Sequence, residues 1–315
     1  MATSLSWAHI SAPAKEGGRR RLVVFASKFA GCAGMHQYMN PDEMKFEFIH
    51  AICGPGAAED ILPDGYVPPK EFEKQTMERG MTAEAKRTLE DAVDSIKQSE
   101  NSEQSTKTVA EAVKKINAMP GVSAAAKELA RRDLFTQHGV HGEESIRKDA
   151  SNQHGAEIRA DNKFRTSALL AQLPDGFDLY VGGRHDGIMQ PTSDDDDAGP
   201  ILTEIKNRTR RHMGVPLYER VQLHCYMSIF NVNRGLLIEN YRKEAKEHPV
   251  FFDQTFWDGV VETAAVFLTT CILECRKANE SGHSIVEESA IEEASAPPSR
   301  EETAAPPSRE ETAAA

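Results

Sequence analysis

One aspartate and one Glu-x-Lys triplet carry most of the chemistry legible in this 315-residue chain. Asp186 follows a Gly-Gly turn in the stretch GGRHDG, and after a turn-rich connection Glu204 and Lys206 stand on the apolar strand ILTEIKN. Side chains alternate along a strand, so Glu204 and Lys206 share a face while Ile205 points the opposite way, into a core. Two carboxylates brought together by adjacent strands can hold a hard divalent cation through oxygen ligands. A lysine beside them can orient a water and offset developing negative charge. Such a set suits phosphodiester hydrolysis. Each residue also has an ordinary structural role open to it: an exposed strand-face ion pair for Glu204 and Lys206, a turn residue before glycine for Asp186. Their joint occurrence favours the chemical role.

Further candidates surround this trio. Glu143 and its neighbour Glu144 both compete for the place of a third acid. His138 and His141, three residues apart, could bind zinc with Glu143, although a satisfied or solvent-facing histidine is the commoner outcome. Gln222 and Tyr226 share a helix face at i,i+4 spacing; they suit either a substrate channel or support for Lys206, or else a core tyrosine beside a surface glutamine. Arg208, Arg210 and Arg211 follow the active strand directly, and arginine can grip phosphate oxygens through two parallel hydrogen bonds. The run Asp194 to Asp197 resembles a second cation site, but like charges in a Gly/Pro-flanked turn read as a solvated loop. Cys271 and Cys275 lack partners at zinc-finger spacing and read as core thiols.

The elements that must position these residues follow from periodicity. A short strand or loop from Leu22 enters a helix, and Met44 to Cys53 has helical spacing. Residues 70–118 are charged and helical, clearest over Ala83–Ile96 and Thr108–Ile116. A helix to about Leu134 meets a glycine-containing break (HGVHG) before a second helix over Glu143–His154. Strands are expected at Ser167–Leu170, Phe177–Val181, His185–Met189, Ile201–Ile205 and Arg234–Asn240, with helices over Tyr218–Ile229 and Thr255–Ala278.

Composition narrows the classes. Apolar residues make up 39% and charged residues 27% of the chain, and the best membrane-span candidate, Val260 to Leu273, is interrupted by Glu262 and several threonines. Five scattered cysteines do not resemble a secreted disulfide framework, which points to an intracellular reducing compartment such as cytoplasm, nucleus or virus factory. The net charge of -12 argues against nucleic acid until it is divided: residues 279–315 hold nine Glu and two Arg, so most of the excess sits in that tail. The tail ends in two copies of APPSREETA and is expected to be disordered, available to protein partners or as a competitor of nucleic acid for a basic groove. Residues 1–18 read as a disordered arm, with a faint organellar-targeting flavour from the arginines that follow.

The D…E-x-K pattern of Asp186 and Glu204-Ile205-Lys206 resembles the PD-(D/E)XK nuclease superfamily. Further elements fall in the same order: GVHGEESIR (Gly139 to Arg147) resembles the helical G-x-x-x-E-x-x-x-R segment of lambda-exonuclease and YqaJ-type members, which favours Glu143 over Glu144 as the additional acid. QLHCY (Gln222 to Tyr226) resembles the Q-x-x-x-Y helix of RecB-like nucleases, and Phe25 to Met44 resembles the YqaJ-type opening with its Ser-containing turn. The matches span roughly residues 20–50 and 130–240, whereas 55–125 has no counterpart, and His185 stands where the family's proline would precede the aspartate.

The resemblance implies a restriction-endonuclease-like α/β core, a mixed central sheet flanked by helices, over residues 19–278, with a helical insert at about 55–125 and the catalytic part at about 130–278. It implies one or two Mg²⁺ or Mn²⁺ ions held by Asp186, Glu204, the Ile205 carbonyl and Glu143, with Lys206 and Gln222 completing the catalytic set. Arg20 and Ser27 would take a DNA 5′-phosphate, and Arg208, Arg210, Arg211 and Tyr226 would line the DNA path. The expected activity is a DNA exonuclease acting on duplex ends in recombination, repair or viral genome processing. A structure- or sequence-selective endonuclease and a silent DNA-binding or interaction protein are the rivals, and an oligomer is compatible with all three.

Overall fold

The computed structural model describes residues 3–11, 18–54, 61–99, 102–160, 163–190, 199–242 and 244–294. Two mixed sheets, flanked by helices, meet at the candidate site. The first runs in the order β1 (Thr3–Ser4), β2 (Ala8–Ile10), β3 (Arg20–Phe25), β7 (Phe177–Gly183), β5 (Arg165–Thr166), with β6 (Ala171–Leu173) also on β7. The second runs β11 (Glu244–Phe251), β10 (Arg234–Tyr241), β9 (Ile201–Asn207), β8 (Gly187–Met189), β4 (Ile158–Arg159). The β3–β7 and β9–β10 pairs are parallel and the others antiparallel. The expected mixed α/β core is therefore present, divided where the chain leaves β7 at Gly183 and re-enters a ladder at Gly187.

The parallel pairs need crossovers, and helices supply them. Helix α7 (Leu217–Phe230) links β9 to β10, and α1 (Ala26–Cys32) and α2 (Pro41–Cys53) follow β3. Asn40 caps α2 by accepting from the Asp42 amide at 3.0 Å, with Pro41 at the first helical position. Helix α8 (Gln254–Ala294) crosses the first sheet, burying Trp257, Val260, Ala264, Leu268, Cys271 and Cys275 at helical spacing. Its segment Gln254–Glu280 is apolar and long enough to cross a membrane by composition alone, yet this stripe is part of the main core. The helix runs past the tail boundary expected at residue 279, while the APPSREETA repeats and Asp194–Asp197 lie outside the described residues.

The insert builds its own core. Helices α3 (Pro69–Gly80), α4 (Ala83–Lys97), α5 (Ser102–Ala118) and the first half of α6 (Ala124–His154) close around Leu89, Ile96, Val109, Ile116, Ala130 and Leu134. Thr82 and Ser123 cap α4 and α6 through bonds of 3.2 Å to the amides of Ala85 and Ala126. Helix α6 corrects one expectation: HGVHG does not break it, and one continuous helix ties the insert to the second sheet. Gly142 is helical here because it must be small, since a Cβ there would collide with the Asn207 side chain of β9.

The N-terminal arm is also corrected. Residues 3–11 form β1, β2 and their turn, and Leu5, Trp7, Ala8 and Ile10 are buried. Trp7 stacks on Phe48 with ring centroids 6.1 Å apart, and Glu47 accepts bonds from both the amide and hydroxyl of Ser6. The Ser/Ala-rich composition hid a pattern of only four apolar positions. Strand β11 was likewise not expected, because its charged edge residues (EAKEHPV) lack an apolar face. Trp7→Ala should cost about 3–5 kcal/mol in denaturant-induced unfolding. An unchanged midpoint would return this segment to the status of an arm.

Candidate active site

The break between β7 and β8 places Asp186 at the junction of the two sheets. Gly183 ends β7 where a Cβ would lie 2.8 Å from Cε1 of Tyr226, so the chain passes close against α7 before turning. Asp186 is held by the Ile205 amide, which donates to its Oδ2 at 2.7 Å, and by Arg147, whose Nη1 donates to its backbone carbonyl at 3.3 Å. Strand β9 presents Glu204 and Lys206 on the α7 side and sends Ile205 into the opposite cluster with Ile146, Ile158 and Ile238. Strand alternation alone accounts for that division.

Glu204 is the pivot. Its Oε1 accepts from Lys206 Nζ and from Gln222 Nε2, both at 2.7 Å. Its Oε2 is buried and has no hydrogen-bond partner among the described residues. The Glu204 side chain is 4% exposed and that of Lys206 25%, so the carboxylate lies behind a half-buried lysine. Glu143, from α6, is half-buried and within electrostatic range of Asp186 and Lys206. Glu144 is exposed and paired with Arg147, which decides between the two neighbouring acids.

The electrostatics follow from three carboxylates sharing a largely buried site. Burial, reinforced by Asp186, pushes Glu204 up to about 8 against the pull of Lys206. Burial and then Asp186 push Glu143 up to about 7. Asp186 is raised by burial, opposed by Lys206 and the Ile205 amide. Burial alone would lower Lys206, but Glu204 and Asp186 hold it above the ordinary lysine range. Among the described residues no three His, Cys, Asp or Glu side chains close into a ready-made metal cage. The donor set nevertheless suits a hard cation: carboxylates that resist ionisation without added positive charge, and one buried oxygen of Glu204 left without a proton donor.

Several residues are placed away from the roles expected of them. Arg208 continues the face of Glu204 and Lys206 inward: its Nη1 and Nη2 donate to Glu219 at 2.9 and 2.6 Å, and its Nε donates to Glu239 at 2.6 Å. Fully engaged by two buried acids, it braces α7 against β9 and β10 rather than gripping phosphate. Tyr226 is buried in the core beside Gln222 and Glu204, so it supports the site from behind and does not line a DNA path. Arg20 pairs with Phe177 at the far end of the β3–β7 ladder, whereas Phe25 pairs with Gly182 at the site end. Five residues of strand separate the two ends by roughly 16 Å, and Arg20 lines a cavity of about 620 Å³ with Arg276 and Asp175 instead. Ser27 is exposed in the first turn of α1, at the site end, and Arg210 and Arg211 are exposed in the loop before α7.

The histidines take the structural option. His138 Nδ1 lies 2.7 Å from Ser105 Oγ and its Nε2 3.2 Å from Asn207 Nδ2, while His141 meets the Ser99 carbonyl at 2.8 Å. All five cysteines are free. Arg147 escaped the residue-level reading, though it is the terminal Arg of GVHGEESIR.

No family model matches the sequence, and no curated protein matches it. Among solved structures, the chain is similar to an alkaline exonuclease (LHK-Exo) from Laribacter hongkongensis, at 12% identity and a TM-score of 0.35 over 69% of this chain and 99% of that one. A complex of LHK-Exo with dAMP gives 12% identity and a TM-score of 0.34, over 62% and 92%. The protein SSO0001 gives 18% and 0.31, over 59% and 86%.

Two measurements check this arrangement. Arg208→Met leaves Glu219 and Glu239 buried without their guanidinium and should cost about 3–5 kcal/mol of unfolding free energy; a phosphate-gripping Arg208 would leave stability unmoved. Because the folded values of Glu204 and Glu143 are raised, their contribution is complete below the ordinary carboxylate range and lost as pH rises toward about 8. In EDTA, stability should therefore fall between about pH 5 and 8, and Glu204→Gln should flatten that slope. An identical slope in the variant would contradict the shared burial of these acids.

Proposed function

We propose that this protein is a metal-dependent deoxyribonuclease that hydrolyses phosphodiester bonds from DNA ends. The observation that carries the reading is the convergence of Asp186, Glu204 and Glu143 on Lys206, with Glu204 Oε2 buried and unpartnered. Asp186, Glu204 and the Ile205 carbonyl would hold Mg²⁺ or Mn²⁺, with Glu143 completing the set. When bound, the cation supplies Lewis-acid polarisation of a phosphoryl oxygen and lowers the pKa of a coordinated water.

The chain's own residues do the positioning. Lys206 and Gln222 fix Glu204 by one oxygen, leaving the other for the ion. The Ile205 amide and Arg147 fix Asp186. The Lys206 ammonium, held charged by its carboxylates, orients the attacking water and offsets the charge that develops on the phosphoryl oxygens. Preorganised charge of this kind needs no rearrangement as the reaction proceeds. Arg210 and Arg211 are exposed where a phosphate backbone could run. Ser27 lies at the same end of the first sheet as Asp186, which suits capture of a terminal phosphate and favours an exonuclease.

The test is cleavage of labelled linear duplex and of closed circular DNA, each with Mg²⁺ and with EDTA. Mg²⁺-dependent loss of the linear substrate alone is expected, with Lys206→Ala slowing it by about 10²–10³-fold while DNA binding is retained. Nicking of the circle would replace the end-dependent reading with an endonuclease. Cleavage unchanged in Lys206→Ala would overturn the site.

A further inference from the structure

Three aromatic rings cluster beside the site: His36 is half-buried, Tyr218 is half-buried against the main core, and Tyr38 stands out from it. His36 and Tyr38 belong to the loop after α1, and Tyr218 lies in the first turn of α7. The His36 and Tyr218 centroids are 4.6 Å apart, and Tyr38 meets each of them edge-on at 6.0 Å. The Tyr38 amide donates to His36 Nδ1 at 3.3 Å, which fixes the loop around the cluster. Tyr38 is 70% exposed, so its ring gains little from burial where it stands.

The position of the cluster ties it to the reaction. Tyr218 and Gln222 share a face of α7, one turn apart, about 6 Å along the axis, and Gln222 is the residue that holds Glu204. On the other side, His36 is within electrostatic range of Lys28 in the first turn of α1, and Lys28 in turn feels Arg132 of α6. Burial and the Lys28 ammonium keep His36 below the ordinary histidine value, so its ring is neutral and free to stack at neutral pH. The cluster thus offers π-faces near Lys28, one helical turn from the residue that holds Glu204, and the acid within its range, Glu219, is engaged by Arg208.

Resting on the nuclease reading above, we infer that His36, Tyr38 and Tyr218 form a stacking platform for unpaired bases of the strand whose phosphate reaches Lys206. The occupant is single-stranded DNA, either a frayed duplex end or an overhang. Every base has a π-face, so such a platform grips without reading sequence. Tyr38 is the exposed ring that a base would cover first.

The experiment is fluorescence anisotropy in EDTA, where cleavage is blocked, with a short labelled oligonucleotide and with the same backbone carrying abasic positions. Tyr38→Ala should weaken binding of the base-bearing strand about tenfold and leave the abasic strand unaffected, while Tyr38→Phe should bind both as the unmodified protein does. Equal binding of the base-bearing strand by Tyr38→Ala and by the unmodified protein would overturn the platform and leave the nuclease reading standing. Equal losses on both strands would also overturn it, since stacking cannot weaken a strand without bases. If the unmodified protein binds neither strand yet cleaves linear duplex with Mg²⁺, the platform fails and the nuclease reading stands; absence of both binding and cleavage ends both.

Discussion

Three carboxylates gathered around one ammonium in a largely buried site is an arrangement that a fold does not hold without support. Glu143, Asp186 and Glu204 repel one another, and burial deprives each of the solvent that would stabilise its charge. Lys206 offsets part of this, and the remainder is the electrostatic demand that a divalent cation would meet. The surrounding structure is arranged to keep these groups where they are. The β7–β8 break delivers Asp186, β9 delivers Glu204 and Lys206 on one face, α6 brings Glu143, and α7 brings Gln222.

A second buried cluster keeps α7 in register with the sheet. Arg208 joins Glu219 of α7 to Glu239 of β10, and Glu239 also accepts from the amides of Met213 and Gly214. Burial would raise Glu239, but these amide and guanidinium bonds outweigh it and hold the group below the ordinary carboxylate range. It is therefore an anion at neutral pH, in contrast to Glu204 only a few residues of sheet away. The difference is one of donors: Glu239 has several, whereas one oxygen of Glu204 has none.

Much of the site was legible in the sequence because its spacing obeys local rules. Period two puts Glu204 and Lys206 together, and i,i+4 spacing puts Gln222 and Tyr226 on one helix face. What was not legible depends on register and direction. Arg208 looked like a phosphate ligand because its charge is visible in sequence and its inward-facing acids are not. Arg20 falls at the wrong end of its strand because nothing local fixes how β3 aligns with β7. HGVHG resembles a helix break, yet Gly142 is demanded by the approach of Asn207 and the helix continues through it. The N-terminal strands escaped because four apolar residues in a small-residue segment leave too short a period to read.

The central claim is that Asp186 and Glu204 are a cation site. Electron paramagnetic resonance of Mn²⁺ titrated into the full-length protein tests it without relying on any substrate or on turnover. The account predicts saturable loss of the free-ion signal with the unmodified protein, abolished by Asp186→Asn while the fold is retained. Saturable binding that survives Asp186→Asn, or no binding to the unmodified protein, would contradict it.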